Sequence, residues 1–481
     1  MGNYLNIGNA GFTAIRKGSY VDKTGLIAFI NHTLDTTDKL TCVSRPRRFG
    51  KSFAAKMLYA YYDQSCDSHA LFDGLEISQD PSYEKYINSY PVIYLDITLF
   101  ISRGENIKDI VKRINDEVME EVAEIFGEEI RGTDLAETLI RAAKSSGKKF
   151  IMIIDEWDAL FREAKDDYDL QREYISFLRG LFKSSWTDHI FEAAYITGIL
   201  PIKKYGTQSA MTDFREYTML APRKLAEYVG FTETEVKTLC REHGMDFAEM
   251  QKWYDGYTFS RVKSVYSPNS VMEAVKNEEI GNYWTQSETY ESLKLYIELN
   301  EDGLKESVVQ MLGGARVRID AGTFQNDMTT IRCRDDVLTL LVHLGYLAYD
   351  MEEKSVYIPN EEVREEFMRA VAAGKHTEIA NLIRNSDQLL DSYLKIEELP
   401  SGHGYADVVF LPRKASSLPI LLIELKWDKT EQGAIEQIKR KDYPQILKGF
   451  GGPILLVGIN YDAKSKNHTS KIEKMNVALK Q

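Results

Sequence analysis

Two groups of residues in this chain have the types and spacing that phosphate chemistry uses. The first is SRPRRFGKS, Ser44 to Ser52, which supplies three of the four fixed positions of the pattern GxxxxGK[ST]. Gly50 allows close backbone approach to phosphates, Lys51 offsets their charge, and the Ser52 hydroxyl can ligate magnesium. Arg45 stands where the first glycine is usual and Pro46 follows it, so the loop turns by another route, with Arg45 expected near its mouth. Arg47 and Arg48 add local positive charge. Further along, KKFIMIIDEWDAL puts the five apolar residues Phe150 to Ile154 directly before Asp155, Glu156 and Asp158. A phosphate loop needs such an acidic partner: Asp155 would hold magnesium through water, and Glu156 would orient or deprotonate an attacking water. Thr197, at the end of the apolar stretch FEAAYITG, is placed to contact a terminal phosphate. Read segment by segment, the same residues also suit a strand-to-helix turn with solvated arginines and a capped strand end.

The second group lies near the C-terminus, where GYADVVFLPRK and PILLIELKWDK bear Asp407 and the pair Glu424 and Lys426. Residues two apart on a strand face the same side, so Glu424 and Lys426 converge, with Ile423 and Leu425 expected to point into the core. An antiparallel pairing lets Asp407 join them. Two carboxylates would bind magnesium while the lysine positions a water or stabilises charge on phosphate, the PD-(D/E)xK nuclease arrangement. The helix AIEQIKRKDY that follows offers Gln437, Lys441 and Tyr443 as support, and Lys439, Arg440 and Lys441 as an electrostatic anchor for DNA. A salt-bridged surface strand is the plain alternative.

The elements that must carry these groups are apolar strands alternating with helices. KLTCVS, PVIYLDITLF, KKFIMII and FEAAYITGILPI read as strands, with SFAAKMLYAYY and NIKDIVKRINDEVMEEVAEIF as helices between them. That alternation predicts a parallel α/β sheet covered on both faces, with ligands at the carboxyl ends of its strands. After Arg223 the pattern turns helical and then aromatic in WYDGYTF, whose rings read as core. RDDVLTLLVHLGYLAYDMEEKSVYIPNEEVREEFMRA reads as helix, hairpin, helix, the outline of a winged helix, but its second helix, around Asn360 to Ala370, is acidic, which favours a lid or docking role over DNA binding.

The chain has 481 residues, 43% of them hydrophobic, with a formal net charge of −13. This excludes a protein that coats nucleic acid through its general surface. Ile396 to Gln481 is the exception, with 13 Lys and Arg against 10 Asp and Glu. No apolar run is long enough for a membrane span and no secretory leader opens the sequence, so the expectation is a cytoplasmic protein. Four scattered cysteines, Cys42, Cys66, Cys240 and Cys333, form no CxxC pair and suggest buried thiols rather than disulfides or a zinc site.

Together YVDKTGLI, SRPRRFGKS, IIDEWDALF, YITGILPIKKYGT, WYDGYTF, LGYLAYD, IPNEEVR, GYADVVF, LLIELKW and LLVGINYD resemble a bacterial family that fuses an AAA-ATPase-like domain to a PD-(D/E)xK nuclease-like domain. In that family a loop beginning with arginine is a regular variant. The resemblance implies ATP and Mg2+ as ligands, with Arg45, Arg48, Gly50, Lys51, Ser52 and Thr197 around the nucleotide and Ser52 and Asp155 toward the metal. Glu156 is implied as the hydrolytic residue. Asp407, Glu424 and Lys426 are implied as the nuclease set, the two carboxylates as metal ligands, with Gln437 in support. The implied organisation is a P-loop domain over 1–222, a helical lid-like region over 223–300, a winged-helix-like region over 301–372, a helical connector over 373–395 and a nuclease-like domain over 396–481. The last is shortened: family members carry several dozen more residues between the stretches matching SDQLLDSY and LKIEELPSGHGYADV, whereas here Tyr393 runs straight into Leu394. A supporting wall and an acidic group are thereby lost, so poor DNA cleavage is expected. Two functions stay open: an ATP-hydrolysing protein acting on or docking to DNA, and a nucleotide-gated binding module whose inactive tail binds DNA or a protein partner, with a homo-oligomer possible in either.

Overall fold

A computed structural model of the chain describes residues 2–104, 106–183, 185–205, 208–259, 262–284, 303–326, 331–373, 393–401, 404–412, 418–440, 453–463 and 467–475. These fall into two compact units, Met1–Gly374 and Lys375–Gln481.

The first unit is built on five parallel strands: β1 (Leu40–Ser44), β2 (Val92–Asp96), β3 (Phe150–Asp155), β4 (Phe191–Gly198) and β5 (Arg215–Tyr217), in the spatial order β2-β3-β4-β1-β5. Every residue of β1 and β3 is buried, which requires cover on both faces of the sheet. Helices α1 (Lys51–Tyr62), α2 (Ile110–Phe126), α3 (Leu135–Ser146), α4 (Ala159–Glu163) and α5 (Tyr168–Phe182) connect the strands. Ile114, Val118 and Val122 of α2 and Tyr174 and Leu178 of α5 join Met152, Ile154 and Ile196 in one core. The second strand is shorter than its apolar run suggests: at Asp96 the side chain accepts the Leu99 N–H at 3.1 Å and caps a helix over Ile97–Arg103.

The order matters because β4 sits between β1 and β3. In register, Val43 lies opposite Thr197, Thr197 opposite Asp155, and Asp155 opposite Asp96. The residues leaving β1, β3 and β4 therefore meet at one edge of the sheet.

Beyond β5 come α6 (Glu233–His243), opened by a capping box of Thr232 and Glu235, then α7 (Phe247–Tyr254) and α8 (Pro268–Asn277). They share a core of Val236, Leu239, Met250, Tyr254, Val271 and Ala274. Helix α9 (Arg334–Leu344) and the acidic α10 (Glu361–Ala373) flank an antiparallel sheet of β6 (Val317–Arg318), β7 (Ala348–Asp350) and β8 (Ser355–Tyr357).

The second unit is a five-stranded mixed sheet in sequential order: β9 (Tyr393–Ser401), β10 (Gly404–Pro412), β11 (Ile420–Trp427), β12 (Ile454–Asp462) and β13 (Asn467–Met475). Only β11 and β12 are parallel, and helix α11 (Glu431–Arg440) lies between them in sequence. Ile435 and Ile438 of α11 pack on Val409, Leu422, Ile454 and Leu456. Gly458 makes that approach possible, since a Cβ there would sit 2.2 Å from the Glu431 carbonyl oxygen. Among the described residues no helix is long and apolar enough to cross a membrane. Cys42 and Cys240 are buried and Cys66 and Cys333 partly so, all four as free thiols. Most of residues 373–395, and Lys441 and Tyr443, lie outside the described residues.

Candidate phosphate site and nuclease-like site

The loop leaving β1 ends on Gly50, at φ 88°, as the N-cap of α1. A Cβ there would meet nothing within 4 Å, so glycine serves the left-handed backbone and leaves the space beside it open. Arg48 is also left-handed, at φ 67°. Alternation of this kind gathers backbone N–H groups into an anion-binding concavity at the helix start.

Lys51 is 4% exposed. Its Nζ donates to the Pro46 carbonyl at 2.9 Å and lies 3.6 Å from Glu156 Oε1. The ammonium is thus stored against a backbone oxygen that a phosphate oxygen can replace. Asp155, 2% exposed, accepts the Glu156 N–H at 3.0 Å and the Tyr94 hydroxyl at 3.4 Å. Burial pushes its pKa up to about 6, with the Glu156 and Asp96 charges adding to the rise and Ser52 and Lys51 opposing it. A hydroxyl at the start of α1 and a buried carboxylate at the end of β3 are the donor types that magnesium takes from a protein when phosphates and waters supply the rest.

Glu156 sits at φ 52°, a conformation costing a non-glycine residue about 1 kcal/mol or more. Burial works to raise its pKa, but Lys51, Arg162 and Arg47 more than offset that and hold the carboxyl below its usual range. Asp158 has a different part. It is fully buried and accepts the N–H groups of Ile199 at 3.1 Å and Leu200 at 2.8 Å, fixing the chain as it leaves β4.

Two residues differ from the sequence expectation. Arg45 is not at the loop's mouth: its guanidinium is wholly buried and donates to the carbonyls of Ser44 at 2.9 Å, Tyr217 at 3.0 Å and Leu225 at 3.3 Å. It also lies 5.5 Å from the Phe259 ring centroid. Burial lowers its pKa to about 10. A glycine would leave those oxygens unanswered, so arginine here is a strut under the loop rather than a ligand group. Thr197 is buried too, and its hydroxyl donates to the Val43 carbonyl at 3.0 Å, bridging β4 to β1 instead of facing the loop.

The helical region braces the loop from outside. Arg48 donates to the Tyr283 carbonyl at 2.9 Å, and Phe49 meets Tyr257 edge-on at 5.2 Å. A Cβ on Gly345 would come within 2.8 Å of Pro46. Sequence reasoning missed Arg162, although its i, i+4 spacing from Asp158 was there to be seen. It also missed Asp96, whose signal was a helix-capping carboxylate at a strand end.

In the second unit Asp407, Glu424, Lys426 and Gln437 do come together. Glu424 is 1% exposed; Lys426 Nζ donates to its Oε1 at 2.8 Å, and Gln437 Nε2 donates to the same oxygen. Asp407 Oδ2 accepts the Leu425 N–H at 2.7 Å. The expected facing of β11 is reversed. Ile420 and Leu422 share the helix-covered face with Glu424, while Leu425 is 50% and Trp427 65% exposed. The carboxylate is buried because α11 crosses that face and brings Gln437 over it. Lys439 is paired with Glu473, and among the described residues no group of three or more His, Cys, Asp or Glu is arranged to hold a metal ion. Each carboxylate has one oxygen committed within the protein, Glu424 Oε1 to Lys426 and Gln437 and Asp407 Oδ2 to the Leu425 N–H.

The first fold and site define a phosphate-loop α/β domain, and the second a nuclease-like mixed sheet. Family models agree: "Predicted AAA-ATPase" matches residues 6–207, and "PD-(D/E)XK nuclease superfamily" matches residues 379–471. The chain carries an AAA-ATPase-like domain followed by a PD-(D/E)XK nuclease superfamily domain. It is 25% identical over 303 residues to an uncharacterized protein in the vnfD 5′ region of Azotobacter chroococcum mcd 1, a match covering 59% of this chain and 54% of that protein. The chain thus spans about half the length of the curated relative it matches. Among solved structures it is similar to the Aeropyrum pernix ORC2 protein in ADPNP–ADP complexes, at 12% identity, 78% of this chain, 98% of that chain and a TM-score of 0.33. It is also similar to the replication initiator DnaA bound to AMPPCP and single-stranded DNA, at 10% identity, 78% of this chain, 91% of that chain and a TM-score of 0.26.

Proposed function

We propose that this chain is a cytoplasmic ATP-hydrolysing protein whose nuclease-like domain docks on DNA without cutting it. The observation that carries the first half is the convergence at one sheet edge of Lys51, Asp155 and Glu156, the last 3.6 Å from Lys51. ATP phosphates enter at Gly50, and Lys51 exchanges the Pro46 carbonyl for a phosphate oxygen. Ser52 would ligate Mg2+ directly and Asp155 through water, and the ion would neutralise charge on the phosphates. Glu156 is charged at neutral pH and accepts a proton from water as its oxygen bonds to the γ-phosphorus and the bond to the ADP oxygen breaks. Arg45, Thr197 and Asp158 keep the three strand ends in place.

The second half rests on Lys426 and Gln437, both committed to Glu424 at the position where a nuclease holds its metal. The docking partner is DNA, favoured by the positive balance of Ile396 to Gln481 and by the nuclease superfamily to which this domain belongs. ATP hydrolysis measured with and without DNA, in wild type and Glu156→Gln, tests the reading. Turnover that DNA modulates, and that falls at least ~100-fold in Glu156→Gln with nucleotide binding retained, is expected. Equal turnover in the two proteins would remove Glu156 from the mechanism.

A further inference from the structure

Glu156 is the first residue after β3 and must be aimed at water in this reading. What holds it is Arg162 on α4. The guanidinium is 11% exposed; Nη2 donates to Glu156 Oε2, and Nε lies 3.5 Å from Asp158 Oδ2. Asp158 in turn fixes the Ile199 and Leu200 N–H groups just past β4. A rigid, planar fork between two carboxylates sets the direction of each, which a flexible lysine could not do as well. Lys51 and Arg47 also act on Glu156, but Lys51 stands further off than Arg162 and is the group that a phosphate will draw away.

We infer that Arg162 is the positioning residue for Glu156, tying the hydrolytic carboxylate through Asp158 to the end of β4 and keeping it aimed once Lys51 has turned to phosphate. The inference rests on the ATP-hydrolysis reading and names a residue that the phosphate-loop pattern does not contain. The Arg162 guanidinium bonds to Glu156 and faces Asp158. Its effect passes entirely through Glu156, and that makes it separable from a merely structural role.

The test is a double-mutant cycle on ATP hydrolysis with the full chain, using Arg162→Ala, Glu156→Gln and the double variant, with affinity for a fluorescent ATP analogue and thermal unfolding read in parallel. Arg162→Ala should lower kcat by about 100-fold, the cost of a misaligned group, while nucleotide affinity stays within about threefold of wild type. In the Glu156→Gln background the same substitution should change kcat little, because the group it aims is already gone. Should Arg162→Ala itself unfold, Arg162→Lys supplies the same comparison, retaining charge and packing but losing the fork. Turnover unchanged by either substitution, or an equal fall in both backgrounds, overturns the positioning role and leaves ATP hydrolysis standing. Wild-type chain that binds ATP without turnover removes both.

Discussion

Each of the two domains sets a lysine beside a glutamate, and the two pairs are held differently. In the first, Lys51 stands 3.6 Å from Glu156 and spends its hydrogen bond on the Pro46 carbonyl, while Arg162 takes the carboxylate. In the second, Lys426 lies 2.8 Å from a Glu424 that is 1% exposed and also held by Gln437. A loosely held ammonium on a firmly mounted loop is ready to be recruited by phosphate. A tight buried pair is stable where it is, because removing either partner strands a charge away from water. Residue type alone does not distinguish the two pairs; the way each partner is already spent does.

The largest expected effect comes from breaking the mount of the first site. Arg45→Ala leaves the Ser44, Tyr217 and Leu225 carbonyls without their donor and opens a void, so the first unit should lose about 4 kcal/mol in denaturant unfolding. Nucleotide affinity should fall with it. A variant as stable as wild type would mean that the buried guanidinium is not a strut.

The same substitution made in each lysine sharpens the contrast. Lys426→Ala should cost about 3 kcal/mol of stability by leaving Glu424 charged and buried. Lys51→Ala should cost no more than ~1 kcal/mol, the worth of one hydrogen bond, yet weaken binding of a fluorescent ATP analogue about 100-fold. Reversed results, with stability lost at Lys51 and not at Lys426, would invert the assignment of the two sites.

A smaller effect concerns a buried glutamate with no such lysine. Glu362 accepts the Tyr283 N–H and the Ser270 hydroxyl, both at 2.8 Å, and burial pushes its pKa up to about 7. Its folded-state pKa lies above the unfolded value near 4.5, so the native state holds the proton more tightly and stability declines as pH rises from there through 7. Glu362→Gln mimics the protonated form and should be more stable than wild type by on the order of 2 kcal/mol at pH 8, with little difference at pH 4.5. Urea midpoints at the two pH values measure this, and a gain of equal size at both would show that the carboxylate is not titrating.

Much of the first site was legible because it is local. Gly50, Lys51 and Ser52 are contiguous, and a run of buried strand residues before Asp155 can only end at a sheet edge. The role of Arg45 was not legible, since its partners Tyr217 and Leu225 are far along the chain and nothing near Arg45 marks them. Thr197 ends the strand next to β1, but register decides which neighbour its hydroxyl meets, and that neighbour is Val43 rather than the loop. For β11, alternation told which residues share a face and not which face is covered. The cover comes from α11, over a chain position where only Gly458 admits it. A strand of apolar residues interrupted by charge invites the assumption that the charge faces water, and here it does not.

The contrast between the two sites can be put to a single reaction. Purified chain is incubated with supercoiled plasmid, ATP and magnesium or manganese, and phosphate release and plasmid nicking are followed in the same tube. Steady phosphate release with the plasmid left supercoiled is the predicted result. Nicking that disappears in Lys426→Ala, whatever the rate of phosphate release, would contradict it and restore the second site as a working nuclease.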